Sequence, residues 1–191
     1  MTRPALGAAG LWPSGPGGEM AQLIDAIAFA AQKHRHQRRK DVHASPYINH
    51  PIELVQVLVS EAGILDTAVL VAAILHDTIE DTQTTEQEIA ARFGGAIASV
   101  VVELTDDKDL PKPQRKAAQV ARAASATHHA RLVRLADKIC NLRDVAQSAP
   151  VGWSVTRCRE YFDWARAVVD GMRGTHAVLE ALFDEVYAQR P

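Results

Sequence analysis

Between Ala68 and Leu75 the chain runs through eight apolar residues without interruption, and the next two are His76 and Asp77. Asp66 and Thr67 stand ahead of the run as ready N-terminal caps, so the segment reads as a helix. A helix that is apolar all round has no face to offer water and must be enclosed by the rest of the fold. It is also far shorter than the roughly 18 residues a membrane span requires. The residues just after it emerge from the interior, and in LHDTIEDT they are polar: Glu80 lies one turn from His76 and Asp77, and Asp81 one turn from Asp77. Three carboxylates at the end of a buried helix repel one another and lose hydration, which calls for a compensating cation. Taken alone, the same residues also suit a solvated acidic helix end.

A second helical segment, Ala126 to Val145, adds a partner. Leu132, Leu135, Ile139 and Leu142 form one apolar face, and Val133, Ala136 and Cys140 widen it. The narrow polar sector holds Asp137, Asn141 and Asp144, flanked by Arg134 and Lys138. That is the pattern of a central helix lending a polar stripe to a buried site; the plainer reading is an amphipathic helix with a solvated edge. In SPYINHP, His50 precedes Pro51 at a helix N-terminus, where the dipole disfavours an imidazolium and keeps the ring neutral for a metal. His50, His76, Asp77 and Asp137 make a set of two histidines and two aspartates suited to Mn2+, Fe2+, Co2+ or Zn2+. Upstream, HRHQRRKD places Arg38, Arg39 and Lys40 in succession, as a clamp on a phosphorylated ligand requires. KPQRK, with Lys112, Arg115 and Lys116, is a second basic segment.

The remaining pattern is helical. Hydrophobic residues make up 47% and aromatics 5% of 191 residues, with Ala and Leu heavily used, a balance that suits helices packed on helices. No strand alternation, repeat or heptad run is present. The expectation is one all-α globular domain of about eight to ten helices over residues 19–191, after a Gly/Pro/Ala-rich disordered lead-in over residues 1–18 that lacks the apolar stretch of a secretory signal. Within it, a polar loop runs from His34 to about Asn49, Pro51 takes a first helical position, and Thr85 with Glu88 forms a capping box. The formal charge of −2 provides no global field for nucleic acid or an anionic membrane, so the expected partner is a small phosphorylated nucleotide. Cys140 and Cys158 belong to no ligand set and suit the core of a protein in a reducing, cytoplasmic compartment. Nothing in the pattern indicates an oligomeric state.

In chain order, QRRKD, PYINHP, LHDTIEDT, LTDDK and LADKICNLRD resemble the HD-superfamily phosphohydrolases, named for an adjacent His-Asp pair flanked by a distant His and a distant Asp. The chain is more closely similar to the hydrolase domain of RelA/SpoT enzymes, especially the hydrolase-only metazoan SpoT homologues, across roughly residues 20 to 190, so no synthetase or regulatory domain is expected. The resemblance implies a Mn2+-dependent hydrolase that removes the 3′-diphosphate of ppGpp or pppGpp as pyrophosphate. It implies His50, His76, Asp77 and Asp137 as metal ligands, with Glu80 and Asp81 positioning and deprotonating the attacking water. It further implies Arg39 and Lys40 on phosphates, Asn141 on the nucleotide and Tyr161 against ribose or base, and Lys112 of the second basic segment is a further candidate substrate contact. Pro113 and the HASP loop depart from the family pattern. Two other readings are a similar metal site acting on another nucleotide, such as the 2′-phosphate of NADPH, and a non-catalytic nucleotide-binding module.

Overall fold

Asp66 opens the central helix: its Oδ1 accepts the amides of Ala68 at 2.8 Å and Val69 at 3.3 Å. Every residue from Val69 to Leu75 is buried, as a helix without a polar face requires. The structure is a computed structural model describing residues 12 and 15–191. Among the described residues it is all-α: α1 (Pro16–Lys33), α2 (Asn49–Gln56) continuing into a π-helical turn (Val57–Glu61), α3 (Thr67–Leu75), α4 (Thr78–Asp81), α5 (Glu86–Phe93), α6 (Gly95–Leu104), α7 (Lys112–Ala123), α8 (His128–Gln147), α9 (Val155–Asp170) and α10 (Ala177–Tyr187). A single antiparallel bridge, Arg38 with Pro46, pinches the loop between α1 and α2. No described helix is long and apolar enough to cross a membrane.

α3 packs against α1, α2, α6 and α8. Leu132, Leu135, Ile139 and Leu142 of α8 are buried together with Val133, Ala136 and Cys140, each large aliphatic contributing roughly 1.5–3 kcal/mol. Arg134 and Lys138 are buried too, where the sequence suggested only flanks of a polar sector. Arg134 Nη2 reaches the carbonyls of Glu103 at 3.2 Å and Leu104 at 3.4 Å, serving the otherwise unbonded C-terminal end of α6.

Two boundaries and one capping contact differ from expectation, each for a local reason. α1 begins at Pro16, inside the supposed lead-in, because proline is pre-set for a first helical turn, and Gly18 is already buried. Trp12 stacks on Phe93 with ring centroids 6.2 Å apart; residues 1–11, 13 and 14, and the disorder expected of them, lie outside the described residues. Pro51 is third in α2, since the amides of Asn49 and His50 bond back to Pro46 and Tyr47 and proline is tolerated anywhere in a turn whose amides lack helical partners. Thr85 Oγ1 does accept the Glu88 amide at 3.2 Å, but Glu88 turns to Lys33 at 2.8 Å and ties α5 to α1.

α7 is attached differently. Ala123 is its one buried residue, and it sits where Gly171 leaves room: a Cβ on that glycine would stand 2.9 Å from the Ala123 Cβ. Trp164 Nε1 donates to the Lys116 carbonyl at 3.2 Å, seating α7 on α9.

Candidate active site

The ladder of α3 stops at Leu75, and His76 and Asp77 form a turn before α4 begins. Thr78 Oγ1 donates to the Leu75 carbonyl at 2.6 Å, covering an acceptor that the interruption exposes. His76 Nδ1 donates to the Ala73 carbonyl at 2.8 Å. A carbonyl only accepts, so in the neutral ring the lone pair sits on Nε2. That atom lies 2.9 Å from Asp77 Oδ2 and 3.9 Å from Asp137 Oδ1, yet is buried without an aligned hydrogen bond. From α2, His50 brings Nε2 within 3.2 Å of Asp137 Oδ1, while its Nδ1 is buried and unpartnered.

Ligand atoms of His50, His76 and Asp137 all fall within 4.8 Å of one another. Two imidazoles and a carboxylate from three separate helical segments, with buried nitrogens left unbonded, fit a divalent cation. Asp77 stands beside this trio, its Oδ2 accepting the Tyr47 hydroxyl. Asp137 is held from behind: Asn141 Nδ2 donates to Oδ1 at 2.6 Å and Lys138 Nζ to Oδ2 at 2.8 Å. Lys138 is only 4% exposed and lies 4.4 Å from the Trp164 ring centroid.

The titration behaviour favours positive charge at this point. Burial alone would lower His76, but Asp77, Asp137 and the Ala73 carbonyl outweigh it and push the imidazole up to about 9. His50 goes the other way: burial, with Arg39 and His76 nearby, lowers it despite Asp137. Against their own burial, Asp77 is held down by the two histidines, and Asp137 by Lys138 and both histidines. Both stay anionic, and a dication would take the place of a proton on His76.

Around the trio, Glu80 Oε2 accepts the Asp106 amide at 3.0 Å, and Arg115 Nη1 lies 3.9 Å from Oε1. Burial raises the Glu80 carboxyl; the amide opposes this, while Asp77, Asp106 and Asp81 add to it. Asp81 is occupied on both oxygens, by Lys108 Nζ at 2.5 Å and Gln37 Nε2 at 2.8 Å. A cleft of about 830 Å3 is lined by Arg39, Lys40, Lys112, Asn141 and Tyr161, with Tyr47 and Asp81 also on its wall. The residues singled out in sequence as nucleotide contacts thus border one space, and Tyr47 and Asn141 join it to the trio through Asp77 and Asp137.

An adjoining recess of about 250 Å3 shares Lys112, Trp153 and Tyr161 and adds Lys116 and Arg157. Lys112 is lowered by burial and by Arg157, Lys40 and Arg115. Cations that depress one another in this way favour a bound anion. Burial raises the Tyr161 phenol, keeping it a neutral surface for packing.

Several residues went unassigned in the sequence. Tyr47 lay inside PYINHP, three residues before His50. Arg157 follows Trp153 by one turn, and its guanidinium lies 4.4 Å from that ring centroid. Gln37 opens QRRKD and Lys108 closes LTDDK, but neither block points to a partner for its residue.

Residues 26–158 match the HD domain family. The chain is 52% identical over 174 residues to a Homo sapiens protein named guanosine-3′,5′-bis(diphosphate) 3′-pyrophosphohydrolase MESH1, covering 91% of this chain and 97% of that one. Its Drosophila melanogaster namesake is 45% identical over 170 residues, covering 89% and 95%. A solved structure, described as a metazoan ortholog of SpoT that hydrolyzes ppGpp and plays a role in starvation responses, is similar with a TM-score of 0.87 at 44% identity, covering 93% of this chain and 98% of its own.

Proposed function

The chain belongs to the HD domain family, and from that membership we propose that it hydrolyses the 3′-diphosphate of ppGpp or pppGpp to pyrophosphate and GDP or GTP. The observation that carries this is the His50, His76 and Asp137 trio joined to a cleft whose wall bears Arg39, Lys40 and Lys112. The trio, with Asp77 as a fourth ligand, would hold one divalent cation, which we take to be Mn2+. When bound, it supplies Lewis-acid polarisation of a phosphoryl oxygen and lowers the pKa of a water towards about 7.

Glu80, partly buried and raised, is suited to take a proton from the attacking water, with Asp81 positioning that water. The water oxygen bonds to the 3′-phosphorus as the O3′–phosphorus bond breaks, the ribose oxygen takes up the proton, and pyrophosphate leaves. Arg39, Lys40 and Lys112 neutralise and orient the phosphates, Asn141 contacts the nucleotide, and Tyr161 packs on its ribose or base. We place the activity in the cytoplasm, a setting that suits the free buried thiols of Cys140 and Cys158.

The test is incubation of purified protein with ppGpp and Mn2+, scoring pyrophosphate and GDP. The expected result is release that disappears in His76→Ala. No release, or release unchanged in that variant, overturns the proposal; inorganic phosphate freed from NADPH instead would reassign the substrate.

A further inference from the structure

Glu80 leaves a helix of only four residues, too short to hold a long side chain by itself. Its Oε2 is instead located by the amide of Asp106, 26 residues further along the chain. A backbone donor in a loop is only as fixed as the loop, and this one is gripped from α7. Asp106 is 9% exposed; Gln119 Nε2 donates to its Oδ2 at 2.6 Å, and Arg122 Nη2 to its Oδ1 at 3.2 Å. Arg115 comes from the same helix to within 3.9 Å of Glu80 Oε1. Lys112, Arg115, Gln119 and Arg122 succeed one another at spacings of three, four and three, so they share one face of α7. One end of that stripe lines the phosphate cleft and the other end holds the loop that holds Glu80.

We propose that Asp106, Gln119 and Arg122 are positioning residues for the reaction: α7 fixes Asp106, and Asp106 fixes Glu80 relative to the phosphates that Lys112 contacts. This rests on the reading of Glu80 as the water-activating carboxylate. The two grips are unequal. The Arg122 side chain is half exposed, so its ion pair is screened and weak. The short bond from partly buried Gln119 carries the larger share.

The experiment is steady-state hydrolysis of ppGpp by the metal-loaded wild type, Glu80→Gln, Asp106→Ala, Gln119→Leu and Arg122→Lys, with metal content measured for each. Displacing a reacting group by about 1 Å can cost as much as 100-fold. Asp106→Ala and Gln119→Leu are therefore expected to lower kcat about 10- to 100-fold, with KM within about twofold and bound metal unchanged. Arg122→Lys retains most of the rate. Asp106→Ala added to Glu80→Gln costs nothing further, because both act on one group, whereas general loosening of the fold would be additive. Independently of activity, the Asp106 amide resonance shifts in Glu80→Gln, which has lost its anionic acceptor.

Full kcat in both Asp106→Ala and Gln119→Leu, alongside a crippled Glu80→Gln, overturns the proposal while leaving the base intact. An active Glu80→Gln overturns the reading of the base and the brace with it. If Asp106→Ala does not fold, Asp106→Asn and Gln119→Leu carry the same comparison.

Discussion

Helices α3 and α7 border the same site and are held in opposite ways. Seven consecutive residues of α3 are buried, and His76 continues directly from them; of α7 only Ala123 is buried, and apart from Val120, partly buried against the core, the rest of its attachment is polar. The proposed metal ligands thus sit on or against enclosed apolar helices, α3 and α8, while Lys112 and the residues that brace Glu80 ride on a helix seated by Gly171, a tryptophan hydrogen bond and one buried aspartate. The contrast shows where each kind of precision comes from. A coordination set needs atoms held to a fraction of an ångström and draws on packing; a phosphate contact must also let its ligand leave, and a lightly attached helix permits that.

The largest divergence between the two is expected at the metal centre. Asp137→Ala should reduce turnover by about 1,000-fold or more and abolish bound metal, since one ligand and the group facing both histidines are lost; Lys112→Ala should instead raise KM several-fold with metal retained. Metal analysis beside kinetics tests the pair, and retained metal in Asp137→Ala would remove the distinction.

Stability should separate the helices by a smaller margin. Leu135→Ala in α8 should cost about 2–5 kcal/mol, a fall of about 5–15 °C in melting temperature at this size. Ala117→Gly on the exposed face of α7 should cost no more than about 1 kcal/mol. Equal losses in thermal unfolding would mean that α7 is as deeply built in as α8.

Gly171 probes the seat of α7 directly. Its φ is −70°, open to any residue, so Gly171→Ala acts only through the space the methyl takes from Ala123. The expected cost is about 1–3 kcal/mol, with kcat and KM both worsening, metal content unchanged, and partial recovery when Ala123→Gly is added. Without that recovery, the close approach is not what seats α7. The smallest effect needs no mutation: amides of α7 should exchange with deuterium by local opening, and those of α8 near Leu135 only on global unfolding.

These two regions also divide what could be read in the sequence. The eight apolar residues from Ala68 and the polar stripe of α8 are one-dimensional patterns, because burial on all sides or on one side leaves a periodic trace. His76 and Asp137 therefore stand out from those patterns, and His50 through its place before Pro51 in SPYINHP. The partners of Glu80 and Asp81 do not, since Asp106 and Lys108 lie in a loop about two dozen residues away and Gln37 in another. Lys138 read as a flank because the ring that covers it, Trp164, comes from a different helix. The start of α1 is hidden in the sequence because glycine and proline look like loop in composition, although proline is also a helix-opening residue.

The pairing of Arg39 with Asp144 sets a threshold for what can bind. Within the cleft the guanidinium already has a carboxylate tethered within reach, at an effective concentration no free monovalent anion matches. A chloride ion or a lone phosphate gains little by displacing it. On the proposed reading, a diphosphate that engages Arg39, Lys40 and Lys112 together would gain enough, so the cleft would discriminate among anions by competition with its own side chain before any chemistry begins.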